Sequence, residues 1–115
     1  MKVYCYSKCS TCRQLIRLLD EKKIKYEYIE LSEMKDFNED FVRDIFNRSG
    51  GNITKIFNTS GKVYREKKLR NVIPNISEDE ALKLINSFAV IRRPIIDTGS
   101  KVYIGPGAKK YVMSL

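Results

Sequence analysis

Val3-Tyr4-Cys5-Tyr6-Ser7-Lys8-Cys9-Ser10-Thr11-Cys12-Arg13-Gln14 is the stretch on which the fold turns. Val3 to Tyr6 is an apolar run of strand length, and residues 14–21 carry the spacing of a helix. Between them stand two thiols, Cys9 and Cys12, separated by Ser10 and Thr11. Amides at a helix N-terminus stabilise a thiolate, and the thiolate is the reactive form of cysteine. A thiol pair at this strand-to-helix turn therefore points to redox or nucleophilic chemistry, with Cys9 as the thiol of lowered pKa and Arg13 as a nearby helping charge. Cys12, Leu15, Ile16 and Leu19 share one helical face, so Cys12 is expected to point inward and Cys9 to lie at the exposed tip.

Outward from that turn, Lys25-Tyr26-Glu27-Tyr28 alternates as a second strand. A helical middle follows. Asp36 with Glu39 reads as a capping box ahead of Phe37, Phe41 and Ile45, and Ser49-Gly50-Gly51-Asn52 stops that helix. Residues 53–57 and 64–69 suggest short helical turns on either side of the break Asn58-Thr59-Ser60-Gly61. Ser77 with Glu80 caps a further stripe of Ala81, Leu84, Ile85 and Phe88. Pro94-Ile95-Ile96, the turn Thr98-Gly99-Ser100 and Lys101-Val102-Tyr103-Ile104 form a β-hairpin, and Gly105-Pro106-Gly107 opens a terminal helix. The layout is β-α-β, a helical insert over about residues 36–90, then β-β-α. It predicts one α/β domain over residues 1–115, of the thioredoxin-like arrangement with a mixed four-stranded sheet.

Composition narrows the chemistry. At 115 residues the chain has the length of a single domain that needs no disulfide framework, and its odd count of 3 Cys fits one poorly. With no His there is neither a Ser-His-Asp triad nor a Cys-His dyad, and three thiols fall short of the usual four ligands of structural zinc. No bound metal or cofactor is expected. No apolar stretch reaches the length of a membrane span, and the strand pattern begins at once, without a signal peptide; the expectation is a cytoplasmic monomer with no membrane contact. The net charge of +8 describes either a solvated basic surface or a surface that attracts an anionic substrate or an acidic partner. The basic residues are scattered and match no RNA- or DNA-binding signature, so direct nucleic-acid binding is not expected.

Three segments in this order, Cys9-Ser10-Thr11-Cys12-Arg13, Phe57-Asn58-Thr59-Ser60-Gly61-Lys62-Val63-Tyr64-Arg65 and Arg92-Arg93-Pro94-Ile95-Ile96, resemble the arsenate reductase-like family over nearly the whole chain. That family includes the glutaredoxin-coupled arsenate reductases and the Spx/MgsR stress regulators. The resemblance implies that Cys9 is the nucleophile, that Cys12 forms a reversible disulfide with it, that Arg93 holds an oxyanion and that Pro94 is the cis-proline beside the site. Ser10, Thr11 and Arg13 join Arg93 and Pro94 as the implied substrate- or anion-binding residues. Glutathione, glutaredoxin or thioredoxin is the implied external reductant, and the substrate is an oxyanion or an oxidised thiol. The Spx branch implies instead a redox-sensing regulator that binds the RNA polymerase α subunit.

Bland roles stand beside these. Cys12 also reads as an inward-facing core thiol, Arg93 as a structural partner of an acidic side chain and Arg13 as a solvated helix residue. Cys5, within the strand, reads as a small hydrophobe. The family's reductases also carry further arginines around the anion. Asn58-Thr59-Ser60 and Ile104-Gly105-Pro106 stand at the corresponding places here. Each lost charged hydrogen bond costs roughly 1.5–3 kcal/mol, which argues against arsenate as the substrate.

Overall fold

β1 (Lys2–Cys5) alternates exposed and buried side chains, which sets Val3 and Cys5 on one face of a sheet. The computed structural model describes residues 1–115. The chain divides into two compact units, one made of residues 1–34 with 93–115 and the other of residues 35–92.

In the first unit β1 is followed by α1 (Ser10–Glu21) and β2 (Glu27–Glu30), and the chain returns as β3 (Ile95–Asp97), β4 (Val102–Ile104) and α7 (Pro106–Met113). The strands lie in the order β2-β1-β3-β4. β1 runs parallel to β2, with Val3 opposite Tyr28 and Cys5 opposite Glu30. It runs antiparallel to β3, with Val3 opposite Ile96, and β4 closes the hairpin antiparallel to β3. A parallel pair needs a long crossover, and α1 supplies it. The sheet is therefore mixed and four-stranded, as expected of a thioredoxin-like fold. Val3, Cys5 and Ile96 make one buried cluster with Cys12, Leu15 and Leu19 of α1 and Ala108 and Val112 of α7, so both helices cover the same face.

Two turns place the site. Residue 93 joins Pro94 through a cis peptide bond, and the Pro94 carbonyl accepts the Gly105 N–H at 2.8 Å. Gly105 has φ 56°, a conformation that glycine adopts without penalty, and Pro106 then starts α7 where its missing N–H costs nothing.

The second unit is helical: α2 (Glu39–Arg48), α3 (Ile53–Ile56), α4 (Lys62–Glu66), α5 (Leu69–Val72) and α6 (Glu78–Lys83). Arg43 ties α2 to α6 by pairing with Glu39 on its own helix and with Asp79. A single antiparallel bridge joins Phe57 to Ile91, and Arg92 fixes it by donating to the Phe57 carbonyl at 2.9 Å and to Thr59 at 3.1 Å.

Several boundaries differ from the pattern in the sequence. α1 begins at Ser10 rather than at residue 14, because the Cys9 carbonyl already accepts the Arg13 N–H at 3.0 Å. β2 begins at Glu27 rather than Lys25, where its N–H reaches the Met1 carbonyl at 2.9 Å. The cap of α2 is Asn38, whose side chain accepts the Phe41 N–H at 2.9 Å, and not Asp36. Ser77 caps α6 as expected, but the helix ends at Lys83, so Ala81, Leu82 and Ile85 are buried while Leu84 and Phe88 are only half-buried.

Leu15 is buried between α1 and the sheet. Leu15→Ala is expected to cost about 2–5 kcal/mol in urea unfolding. Substitution of the exposed neighbour Gln14 by Ala is expected to stay within about 0.5 kcal/mol.

Candidate active site

Cys9 occupies the N-cap of α1 with φ −89° and ψ 125°, and its N–H donates to the Tyr6 carbonyl at 2.9 Å. Its Sγ lies 3.0 Å from Thr11 Oγ1, so the half-buried thiol is held against the first turn of the helix. Cys12 falls one turn later on the inward face and is 1% exposed. The Tyr6 N–H donates to Cys12 Sγ at 3.4 Å. All three cysteines are free thiols.

The stabilising contacts converge on Cys12. The S–H of Cys5, buried at the end of β1, is the largest of them, and it acts against the desolvation that comes with burial. The Tyr6 amide, the Cys9 thiol and the charge of Arg93 add to it. Together they lower Cys12 from the ordinary thiol value of 9.0 to about 7. Cys5 is the other half of the pair: its hydrogen bond to Cys12 and its burial hold its proton far beyond the ordinary range. The contacts that lower Cys12 come from β1 and from Arg93, which are far from it in sequence.

The remaining expected residues divide into two groups. Arg93 joins the cluster: its guanidinium carbon lies 5.1 Å from the centroid of the Tyr6 ring, a cation–π distance. Thr11 joins through Cys9. Ser10 is exposed at the first position of α1, and Pro94 is buried behind Arg93 in sequence. Arg13 is exposed and borders a cavity of about 180 Å³ together with Cys5, Ser7, Cys12, Ile16 and Tyr28. No group of three or more His, Cys, Asp and Glu side chains is arranged to hold a metal ion.

Two features escaped the sequence. Cys5, buried as a small hydrophobe, packs in the same cluster as Cys12 and borders the same cavity. Glu30, opposite Cys5 in the sheet register, gathers Tyr28 Oη at 2.8 Å, Ser32 Oγ at 2.9 Å and the Ser7 N–H at 3.1 Å. Burial pushes the Glu30 carboxyl upward, and these hydrogen bonds outweigh it and hold the group below the usual carboxylate value. The register pairing was the one available signal for both, and it required knowing where β2 starts.

At the places where the resemblance implies further arginines, Ile104 and Gly105 are buried and uncharged, and Asn58 donates to the Ala89 carbonyl at 3.4 Å. Arg92, in the same unit as Asn58, is committed to Phe57 and Thr59.

Comparison with known proteins agrees with the fold. The ArsC family model matches residues 4–112. The uncharacterized protein YusI of Bacillus subtilis is 37% identical over 103 residues, which is 89% of this chain and 86% of that protein. The arsenate reductase of Neisseria meningitidis serogroup A is 30% identical over 108 residues, 91% of this chain and 89% of that one. Among solved structures, an ArsC family related protein from Bacteroides fragilis superposes with a TM-score of 0.84 at 27% identity, covering 96% of this chain and 95% of that one. The arsenate reductase of Vibrio cholerae shares the fold, with a TM-score of 0.80 at 21% identity over 100% of this chain and 98% of that one.

The lowered value of Cys12 has a sign for stability. Between about pH 7 and pH 9.0 the unfolded chain holds a proton on this thiol that the folded chain has released, so the contribution of Cys12 is complete above 9.0 and is lost as pH falls through about 7. Cys5 acts in the opposite direction above the ordinary thiol value. Urea midpoints of the reduced protein are expected to rise with pH across that window, and Cys12→Ser is expected to flatten the rise. An unchanged slope in the variant would remove Cys12 as its source.

Proposed function

The chain belongs to the ArsC family, and from that premise we propose that it is a cytoplasmic thiol–disulfide oxidoreductase that works through a Cys9–Cys12 couple. The observation that carries this reading is the contrast between the two sulfurs: Cys9 is half-buried at the helix cap, and Cys12 behind it is buried and favours the thiolate. Reduced Cys9 then has its base in place. As Cys9 attacks one sulfur of a disulfide RSSR, its proton passes to the Cys12 thiolate, a Cys9–SR mixed disulfide forms and RS⁻ departs. Cys12 loses that proton, to RS⁻ or to solvent, and attacks Cys9 Sγ. The second RS⁻ leaves and takes a proton, and the Cys9–Cys12 disulfide remains. The protein is oxidised by two electrons and RSSR is reduced to two RSH. An external thiol reductant, such as glutathione, glutaredoxin or thioredoxin, returns the pair to the dithiol.

Arg93 is placed to help the departing anion, since its charge already acts on Cys12. Arg13 lies at the cavity rim. Uncharged Asn58 and Ile104 stand where the resemblance implies further arginines, which leaves a sparse set of donors for a dianion. An oxidised thiol therefore suits the site better than arsenate, although the relative from Neisseria meningitidis is an arsenate reductase.

A second reading, the Spx-like regulator, is favoured by Lys62, Arg65, Lys67, Lys68 and Arg70, which are all exposed with Glu66 as the one acid among them. Such a segment suits an acidic protein partner, and the RNA polymerase α subunit is the partner to try. Binding by the α subunit in a pull-down, with a difference between reduced and oxidised protein, supports the regulator. No binding in either state removes it.

For the oxidoreductase, the reduced protein is mixed with glutathione disulfide and the products are mapped by mass spectrometry. Wild type is expected to close Cys9–Cys12, Cys12→Ser to accumulate a mixed disulfide on Cys9, and Cys9→Ser to react only at background. Failure of wild type to form the intramolecular disulfide, or unimpaired reaction of Cys9→Ser, sinks the reading.

A further inference from the structure

Tyr6 links three parts of the site, and its ring has no task in the Cys9–Cys12 couple. It is the first residue past β1 and is half-buried. Its main chain reaches both cysteines: the N–H donates to Cys12 Sγ at 3.4 Å, and the carbonyl accepts the Cys9 N–H at 2.9 Å. Tyr6 and Cys9 are thus the two ends of one tight turn. Its side chain reaches the third part, because the Arg93 guanidinium carbon lies 5.1 Å from the centroid of the Tyr6 ring. We infer that Tyr6 is a positioning residue: its ring holds the Arg93 guanidinium beside the thiol pair, and so makes Cys9 prefer disulfides that carry negative charge.

The pairing of strands prepares this contact. β1 and β3 run antiparallel, with Val3 opposite Ile96 and Tyr4 opposite Ile95. Counted on along the same register, Tyr6 falls opposite Arg93. Opposed residues of an antiparallel pair lie within reach of each other. An arginine side chain is long and loses considerable rotamer freedom when it is held in one place, so a fixed guanidinium needs a contact. Arg93 is half-buried with its Nε out of solvent, and the Tyr6 ring supplies a contact for the head of the side chain. An aromatic face attracts a guanidinium within about 6 Å of its centroid, and more strongly where water is scarce. A ring differs from a carboxylate in a way that matters here: it holds the cation without cancelling its charge.

What that charge does follows from its neighbours. It stands against the residue that begins the turn to Cys9, and it acts on Cys12. A cation at that place draws a negatively charged disulfide toward Cys9 and steadies the thiolate that departs. Arg13 at the rim of the neighbouring cavity and the net charge of +8 favour the same class of substrate. These act without Tyr6, so loss of the ring should lower the preference and not abolish it. A disulfide with an excess of carboxylates, such as glutathione disulfide, belongs to the favoured class.

The inference rests on the reading of Cys9 as the nucleophile of a thiol–disulfide oxidoreductase, and the test separates the two. Reduced full-length protein is mixed, at one pH near neutrality, with dithiobis(nitrobenzoate), an anionic disulfide, or with dithiodipyridine, an uncharged one. Attack by Cys9 breaks the S–S bond of the probe, forms a Cys9 mixed disulfide and releases one coloured thiol; closure with Cys12 releases the second. Cys5 and Cys12 are buried, so the first release reports Cys9. The quantity compared is the ratio of the rate constants for that first release, anionic probe over uncharged probe. Tyr6→Leu removes the ring and keeps both main-chain contacts, and it is expected to lower the ratio about three- to tenfold. Tyr6→Phe keeps the ring face and is expected to hold the ratio near wild type. In an Arg93→Gln background, where the ratio is already low, Tyr6→Leu is expected to change it no further. A ratio unmoved by Tyr6→Leu overturns the inference, and equal falls with both probes count as unmoved. So does a Tyr6→Phe variant that behaves like Tyr6→Leu, or a further fall in the Arg93→Gln background. Should Tyr6→Leu fail to fold by circular dichroism, Tyr6→Met replaces it under the same criteria. A protein whose ratios follow the inference but which never releases the second thiol retires the Cys9–Cys12 couple and leaves the role of Tyr6 standing. Wild type in which Cys9 reacts with neither probe overturns both.

Discussion

Val3, Cys5 and Ile96 form the floor on which α1 and α7 rest, and the chemistry of the first unit depends on that contact as much as its stability does. Each large apolar side chain taken out of water there contributes about 1.5–3 kcal/mol. The face is narrow, however, and two helices must share it. The residues at the seam are accordingly small: Cys5 on the strand, Cys12 on α1 and Ala108 on α7. Small residues let the helices approach the sheet, and sulfur is the one small side chain that fills such a seam and still has reactivity. The packing layer and the thiol cluster are one arrangement, so a substitution that disturbs either is felt by both.

Much of this was legible in the sequence. The strand, turn and helix around Cys9 and Cys12 announce themselves by local pattern, and so do the hairpin after Pro94 and the opening of α7 at Gly105 and Pro106. The inward orientation of Cys12 followed from the spacing of Leu15 and Leu19. What failed was decided by tertiary pairing. β2 slid to Glu27 because its ladder partner is Lys2 to Cys5 and the Glu27 N–H reaches the Met1 carbonyl. Asn38 displaced Asp36 as the cap because its side chain reaches Phe41. α6 stopped at Lys83 although the apolar stripe ran on.

The electrostatics were the least legible part. A helix N-terminus acts over one turn and can be read from a motif, which is how the sequence singles out Cys9. Cys5, Tyr6 and Arg93 act on Cys12 from three different positions in the chain, and only the fold brings them together. The missing arginines, by contrast, were legible as plain absences at Asn58-Thr59-Ser60 and Ile104-Gly105-Pro106. In the second unit Arg92 donates to the Phe57 carbonyl and to Thr59.

The difference in depth between Cys9 and Cys12 also acts as a turnstile. A macromolecular partner that approaches the cap of α1 can touch Cys9 and cannot touch Cys12, which is 1% exposed. Every encounter with such a partner must therefore be paid in at the outer sulfur and can be discharged only at the inner one. A partner cannot be captured in the reverse order, on Cys12, because its sulfur does not reach the surface. Burial that would be a handicap for a lone nucleophile gives the pair a direction of travel.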